Sequence, residues 1–131
     1  MSHLAQIQQF HQELWDNQNI NSIDLLFDEN VLIHSPLESV CGTEKMKNII
    51  QQWYSGFPSL KVYWDDFIEQ DEKIVCRWHA KGIHEGQFLE FSPTGKNIHY
   101  SGITIYHFNE DKVVDYWAVV DMENIKNQLK S

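Results

Sequence analysis

The sequence predicts an α+β fold: a cone in which N-terminal helices pack on a strongly curved, mixed but mostly antiparallel sheet. Three observations predict it. Apolar residues recur at helical spacing through the first part of the chain, the texture changes at Leu60 to runs rich in Val, Ile, Tyr, Trp and Phe, and turn-forming residues separate those runs. Helices first and hairpin-connected strands afterwards exclude alternating βαβ units. A sheet curled over helices leaves a mouth.

Taken in order, Leu4, Ile7, Phe10, Leu14 and Trp15 follow the capping candidate Ser2 and predict an amphipathic helix over residues 3–17. Asn21 and Ser22 open a short second helix carrying Ile23, Leu26 and Phe27. The run VLIHSP reads as a strand stopped by Pro36. After Gly42 and the cap candidate Thr43, the positions Met46, Ile49, Ile50 and Trp53 predict a third helix, ended by Gly56 and Pro58. Strands are predicted over 60–69, 73–84, 87–91, 97–108 and 112–121, with turns at Gln70–Glu72, Ser92–Gly95 and Asn109–Asp111. MENIKNQLK closes the chain with helical turns.

Strand parity assigns faces. In IVCRWHAKGIH, Ile74, Cys76, Trp78, Ala80, Gly82 and His84 share one face, while Val75, Arg77, His79, Lys81 and Ile83 share the other. The first set is the interior, which sends His84 inward and His79 outward. In the last strand both rows are largely apolar, so periodicity leaves open whether Trp117 and Asp121 or Tyr116, Ala118 and Val120 face inward. Such a strand is covered on both sides, one of them by a second subunit.

Composition narrows the function classes. The 131 residues suit one domain, 1–131, with a core large enough to need no disulfide or metal. Ten Lys and Arg against nineteen Asp and Glu give a net charge of −9, which argues against nucleic acid and against an anionic membrane surface as partners. No apolar run approaches a membrane span and no leader pattern opens the chain, so a cytoplasmic location is expected. Cys41 and Cys76 read as packing thiols. His99 and His107, eight residues apart on one strand, lie too far apart for one metal ion. Five Trp, five Tyr and seven Phe are enough to line an apolar cavity.

The chain resembles the SnoaL-like polyketide cyclases, or ester cyclases, of the nuclear-transport-factor-2-like superfamily with its cystatin-like cone. The residues that carry the likeness are His34 to Pro36, Gly42-Thr43-Glu44 with Lys47, Ile50 and Trp53, and Phe57-Pro58 with Leu60. They continue through Trp78, Gly82, His84, Gly86 and Phe88 to Pro93-Thr94-Gly95-Lys96, then Gly102, Lys112-Val113-Val114, Trp117, Asp121 and Gln128-Leu129. Glu90 and His107 depart from the pattern, standing where relatives commonly carry Gly and Arg.

The resemblance implies an acid/base enzyme without metal or organic cofactor, closing a ring by intramolecular aldol condensation on a small hydrophobic carbonyl substrate. It implies that Asp121 is the acid/base group and places Trp117 and Asp121 inside the cone, with Tyr116, Ala118 and Val120 outside as a homodimer surface. A carboxylate among aromatic rings would have a raised proton affinity, as enolate formation at neutral pH requires. His84 and His34 are candidates to bind substrate or orient Asp121, and Trp53, Trp78, Trp117, Tyr106 and Phe88 to line a pocket for an apolar or polycyclic molecule. Two alternatives stand beside this reading: a non-catalytic protein that binds a hydrophobic small molecule, and a dehydratase or isomerase on the same scaffold. For Asp121 the plain alternative is a helix cap ahead of Met122.

Overall fold

The computed structural model describes residues 1–131. The elements are α1 (His3–His11), a π-helical turn (Gln12–Asp16), α2 (Ser22–Leu26), β1 (Phe27–His34), β2 (Ser39–Cys41) and α3 (Thr43–Gly56), then β3 (Lys61–Gln70), β4 (Lys73–Ile83), β5 (Asn97–Asn109), β6 (Lys112–Val120) and α4 (Met122–Lys130). The six strands form one sheet in the order β2-β1-β6-β5-β4-β3. All neighbours are antiparallel except β1 and β6, which run parallel and make the sheet mixed. This is the α+β architecture expected, with α1 and α3 on the inner face. None of the helices is long and apolar enough to cross a membrane.

Local chemistry explains the elements. Ser2 caps α1 by accepting the Ala5 N–H at 3.1 Å, and Ile7, Phe10 and Leu14 bury the stripe that the spacing predicted. The helix expected through residue 17 instead passes into the π-helical turn, within which Leu14 stays buried. In α3, Met46, Ile49, Ile50 and Trp53 are all buried, and Gly42, not Thr43, occupies the cap position with a φ of 103°. Asp71 and Glu110 take φ values of 53° and 57° in the tight β3–β4 and β5–β6 hairpins.

Three strand expectations are revised. β1 begins earlier, at Phe27, and the short edge strand β2 pairs with it through Ile33 and Val40. Residues 87–91 form no strand: a single bridge joins Phe88 to Phe91, because that segment folds over the end of α3 and not along the sheet edge.

The third revision is the facing of β6. Antiparallel partners share a face, and Thr104 pairs with Ala118 and Tyr106 with Tyr116. Thr104 and Tyr106 are buried on the inner face of β5, so Tyr116, Ala118 and Val120 point inward. Trp117 and Val119, 46% and 63% exposed, point outward. The assignment carried over with the family resemblance is therefore reversed.

Where α3 ends, the chain after β4 comes into backbone contact with it. The Glu85 and Gly86 N–H groups both donate to the Gly56 carbonyl at 3.2 Å, and a methyl group on Gly86 would stand 1.8 Å from the Ser55 carbonyl oxygen. Backbone cannot swing aside as a flexible side chain can. Gly86→Ala is therefore expected to destabilise the protein by roughly 2–4 kcal/mol, read as a lower urea midpoint with an unchanged slope; wild-type stability in that variant would refute the close approach.

Candidate functional site

The cone encloses a cavity of about 50 Å³ between α1, α3 and the inner face of the sheet. Fourteen of its eighteen lining residues are hydrophobic; the other four are His11, Ser35, Pro36 and Thr104. The α1 side supplies His11 and Trp15. From α3 come Met46, Ile49, Ile50 and Trp53, and β3 and β4 add Val62, Trp64 and Trp78. Even positions of β5 and β6 complete the wall with Tyr100, Thr104 and Tyr106, and with Tyr116, Ala118 and Val120. No carboxylate faces it.

Polar groups in this wall are few and placed. The Trp78 indole N–H donates to Thr104 Oγ1 at 2.9 Å, fixing one ring against β5. His11 stands at the end of α1 with Nε2 3.0 Å from the Val62 carbonyl, and burial pushes its imidazole below the ordinary value, partly offset by that carbonyl and by Asp16. Burial raises the Tyr100 and Tyr106 phenols and takes the Tyr116 phenol up to about 12, so all three stay protonated at neutral pH. The single buried side-chain polar atom without a partner is His84 Nε2. Tyr100 and Tyr106 line the cavity, and their hydroxyls, which bond to no protein group, are not among the sealed polar atoms.

The expected site residues separate into three groups. Trp53, Trp78 and Tyr106 line the cavity. His84 is inward and 0% exposed, yet it belongs to the core: Nδ1 accepts the Thr94 N–H at 3.2 Å, the ring packs 5.5 Å from Phe57, and it is not part of this cavity's wall. Phe88 is likewise core, wedged 4.9 Å from Trp53 and 5.0 Å from Phe57.

The third group faces away. Asp121 is exposed, and its carboxylate accepts the Asn124 N–H at 3.1 Å as the cap of α4, so the carboxyl expected in an apolar chamber stands in solvent. His34 and Trp117 sit on the outer face, where Asp115 holds both: His34 Nε2 is 2.9 Å from Oδ1, the Trp117 N–H donates to Oδ2 at 3.0 Å, and the two rings stack at 3.8 Å. Asp121, His84 and His34 do not converge. No three His, Cys, Asp or Glu side chains do so in a way that could hold a metal ion. Cys41 is exposed and Cys76 buried, both free, with the Cys76 thiol raised to about 12 by burial.

Sequence reasoning overlooked His11, Tyr100 and Thr104. Signals were present for all three: His11 stands four residues after buried Ile7, and Tyr100 and Thr104 share strand parity with Tyr106.

Comparison with known proteins agrees with this architecture. The profile of the family described as SnoaL-like polyketide cyclase matches residues 5–129. Among solved structures, a provisionally named SnoaL-like polyketide cyclase from Jannaschia sp. CCS1 superposes with a TM-score of 0.92 at 16% identity, covering 98% of this chain and 92% of that one. AclR, provisionally named a hydroxylase, from Streptomyces galilaeus, gives 0.87 at 19% identity, over 98% and 80% of the two chains. A provisionally named polyketide cyclase from Acidithiobacillus ferrooxidans gives 0.85 at 22% identity, over 99% and 98%. At these identities the likeness establishes the fold. No curated protein matches the chain.

The buried imidazoles of His84 and His11 make stability depend on pH. Burial lowers both below the ordinary value of 6.5, so the unfolded chain binds more protons than the folded one in the window beneath it. Their contribution is complete above that value and is lost as pH falls toward the folded values. The urea midpoint should drop between about pH 7.5 and 5 and the slope should shrink in His84→Gln; a midpoint that rises over that range would contradict the burial of these rings.

Proposed function

The chain belongs to the SnoaL-like polyketide cyclase family, and from that premise we propose that its cavity binds a small, neutral, apolar carbonyl compound and carries out acid/base chemistry on it without a cofactor. The observation that carries this reading is the pair of protonated, unpartnered phenols, Tyr100 and Tyr106, open to an otherwise greasy wall. Such hydroxyls donate to a carbonyl oxygen and hold the charge that develops on it when a neighbouring carbon loses a proton, in a medium where water does not compete. Proton abstraction followed by aldol-type ring closure is the chemistry this favours. At about 50 Å³ the cavity is well below the ~300–1,000 Å³ of common ligand sites, so a short-chain or monocyclic guest fits it better than the polycyclic one first expected.

A second reading, a binding protein without turnover, is favoured by the wall's lack of any carboxylate. Asp121 takes no part in either reading.

Cyclohexanone serves as the probe, with indole N–H signals of Trp53 and Trp78 reporting the cavity and that of Trp117 as an outside control. The expected outcome is a saturable shift of the first two alone, abolished in Ala118→Phe, weakened roughly two- to tenfold in Tyr100→Phe, and unchanged in Asp121→Asn. Binding that survives Ala118→Phe, or turnover that vanishes in Asp121→Asn, would count against the assignment.

The outer sheet face fits a second copy of the chain. Ile103, Val119 and Trp117 form adjacent exposed apolar positions, with Ile103 paired to Val119, and Leu32, 51% exposed, extends them beside Asp115. Light scattering on a sizing column is expected to give a dimer for the wild type and a monomer for Val119→Glu; a wild-type monomer would remove this partner.

A further inference from the structure

We infer that His11 is the proton-accepting residue of the cavity, taking a proton from the carbon beside the carbonyl of a bound ketone. This deepens the pocket reading above and rests on it. His11 is the one imidazole in a wall that contains no carboxylate and no other side chain basic near neutral pH. Its tautomer is set by its partner: a carbonyl only accepts, so the Val62 oxygen 3.0 Å away requires the proton on Nε2 and leaves the lone pair on Nδ1. Nδ1 makes no hydrogen bond within the protein and is not among its sealed polar atoms, and His11 lines the cavity.

The backbone adds an independent sign. The α-helix gives way to a π-helical turn at the residue after His11, and Trp15 within that turn joins His11 on the cavity wall. Single-turn π-helical interruptions are uncommon and concentrate at functional sites. The surroundings favour the neutral imidazole, the form whose Nδ1 lone pair can accept a proton. β3 meets it with the Val62 carbonyl and with the Trp64 ring at 5.8 Å, and Asp16 on the following turn is the charged group whose field reaches it.

The step balances without a co-reactant. The C–H bond breaks, its proton passes to Nδ1, and its electron pair forms the enolate double bond as the carbonyl π electrons move to oxygen, which a phenol O–H of Tyr100 or Tyr106 receives. The imidazolium then returns that proton to carbon, or, once its N–H has exchanged with D₂O, delivers a deuteron in its place. A positioned base of this kind contributes roughly 10²–10⁴-fold.

The test measures deuterium entering the α-positions of cyclohexanone in D₂O with the full chain, while the Trp53 and Trp78 indole signals report binding. Wild type should exchange faster than buffer. His11→Gln, whose amide N–H still reaches for the Val62 carbonyl but offers no basic nitrogen, should lose that acceleration by about 100-fold with binding changed less than about twofold. The wild-type rate should fall as pH drops through an ionisation below 6.5, the ordinary value, and this profile decides the matter should the variant not fold. Exchange retained in His11→Gln, a rate insensitive to that ionisation, or binding without acceleration over buffer would overturn the role of His11 and leave the pocket standing. Indole signals that ignore cyclohexanone would remove the pocket, and the inference with it.

Discussion

The register between β5 and β6 decides the character of the interior. Thr104 opposite Ala118 and Tyr106 opposite Tyr116 turn the even positions of both strands toward the helices. A slip by a single residue would exchange the two faces, bringing Trp117 inside and expelling Tyr116 and Ala118. Burial on the inner face resists the slip, because Tyr106 packs at 5.4 Å against Tyr116 and at 6.4 Å against both Phe10 and Phe27. One ladder of backbone hydrogen bonds thus determines both the lining of the cavity and the chemistry of the outer surface.

That ladder also explains how a familiar fold can carry an unfamiliar interior. Family membership extends over residues 5–129, yet the aspartate matched to the family's acid/base group caps α4 in solvent. Capping is a sufficient reason for an Asp at that point in the chain, since an N-cap satisfies otherwise orphaned N–H groups. The outer cluster of His34, Asp115 and Trp117 is likewise well hydrogen-bonded and lies on the opposite side of the sheet from the cavity. A shared scaffold fixes the architecture and leaves the site to be built on it.

Much of the architecture was legible in the chain. The stripe Met46, Ile49, Ile50 and Trp53 specified α3, and the alternation Ile74, Cys76, Trp78, Ala80 specified the inner face of β4, because burial on one side leaves an unmistakable period. β6 resisted the same treatment because both of its rows are apolar, one facing the cavity and the other exposed as Trp117 and Val119. Only its pairing with β5 resolves the choice, and pairing is a long-range property. The loop after β4 escaped for a different reason: Gly86 and Phe88 follow the contours of α3, and contact with a distant element leaves no period in the sequence. His11 stood at helical spacing from buried Ile7, but a polar residue at the end of a helix carries no apolar signal of its own, and only contact with β3 shows which cavity it joins.

The composition of the cavity wall acts as a sieve on electrical character. All nineteen acidic side chains lie elsewhere on the molecule, and no lysine or arginine faces the chamber to neutralise an incoming anion. An organic acid in its ionised form would approach an overall negative surface and then have to shed its hydration shell with no counter-ion waiting. On the proposed reading the corresponding ester, ketone or enol meets neither obstacle, and masking a guest's carboxyl group would ease its admission.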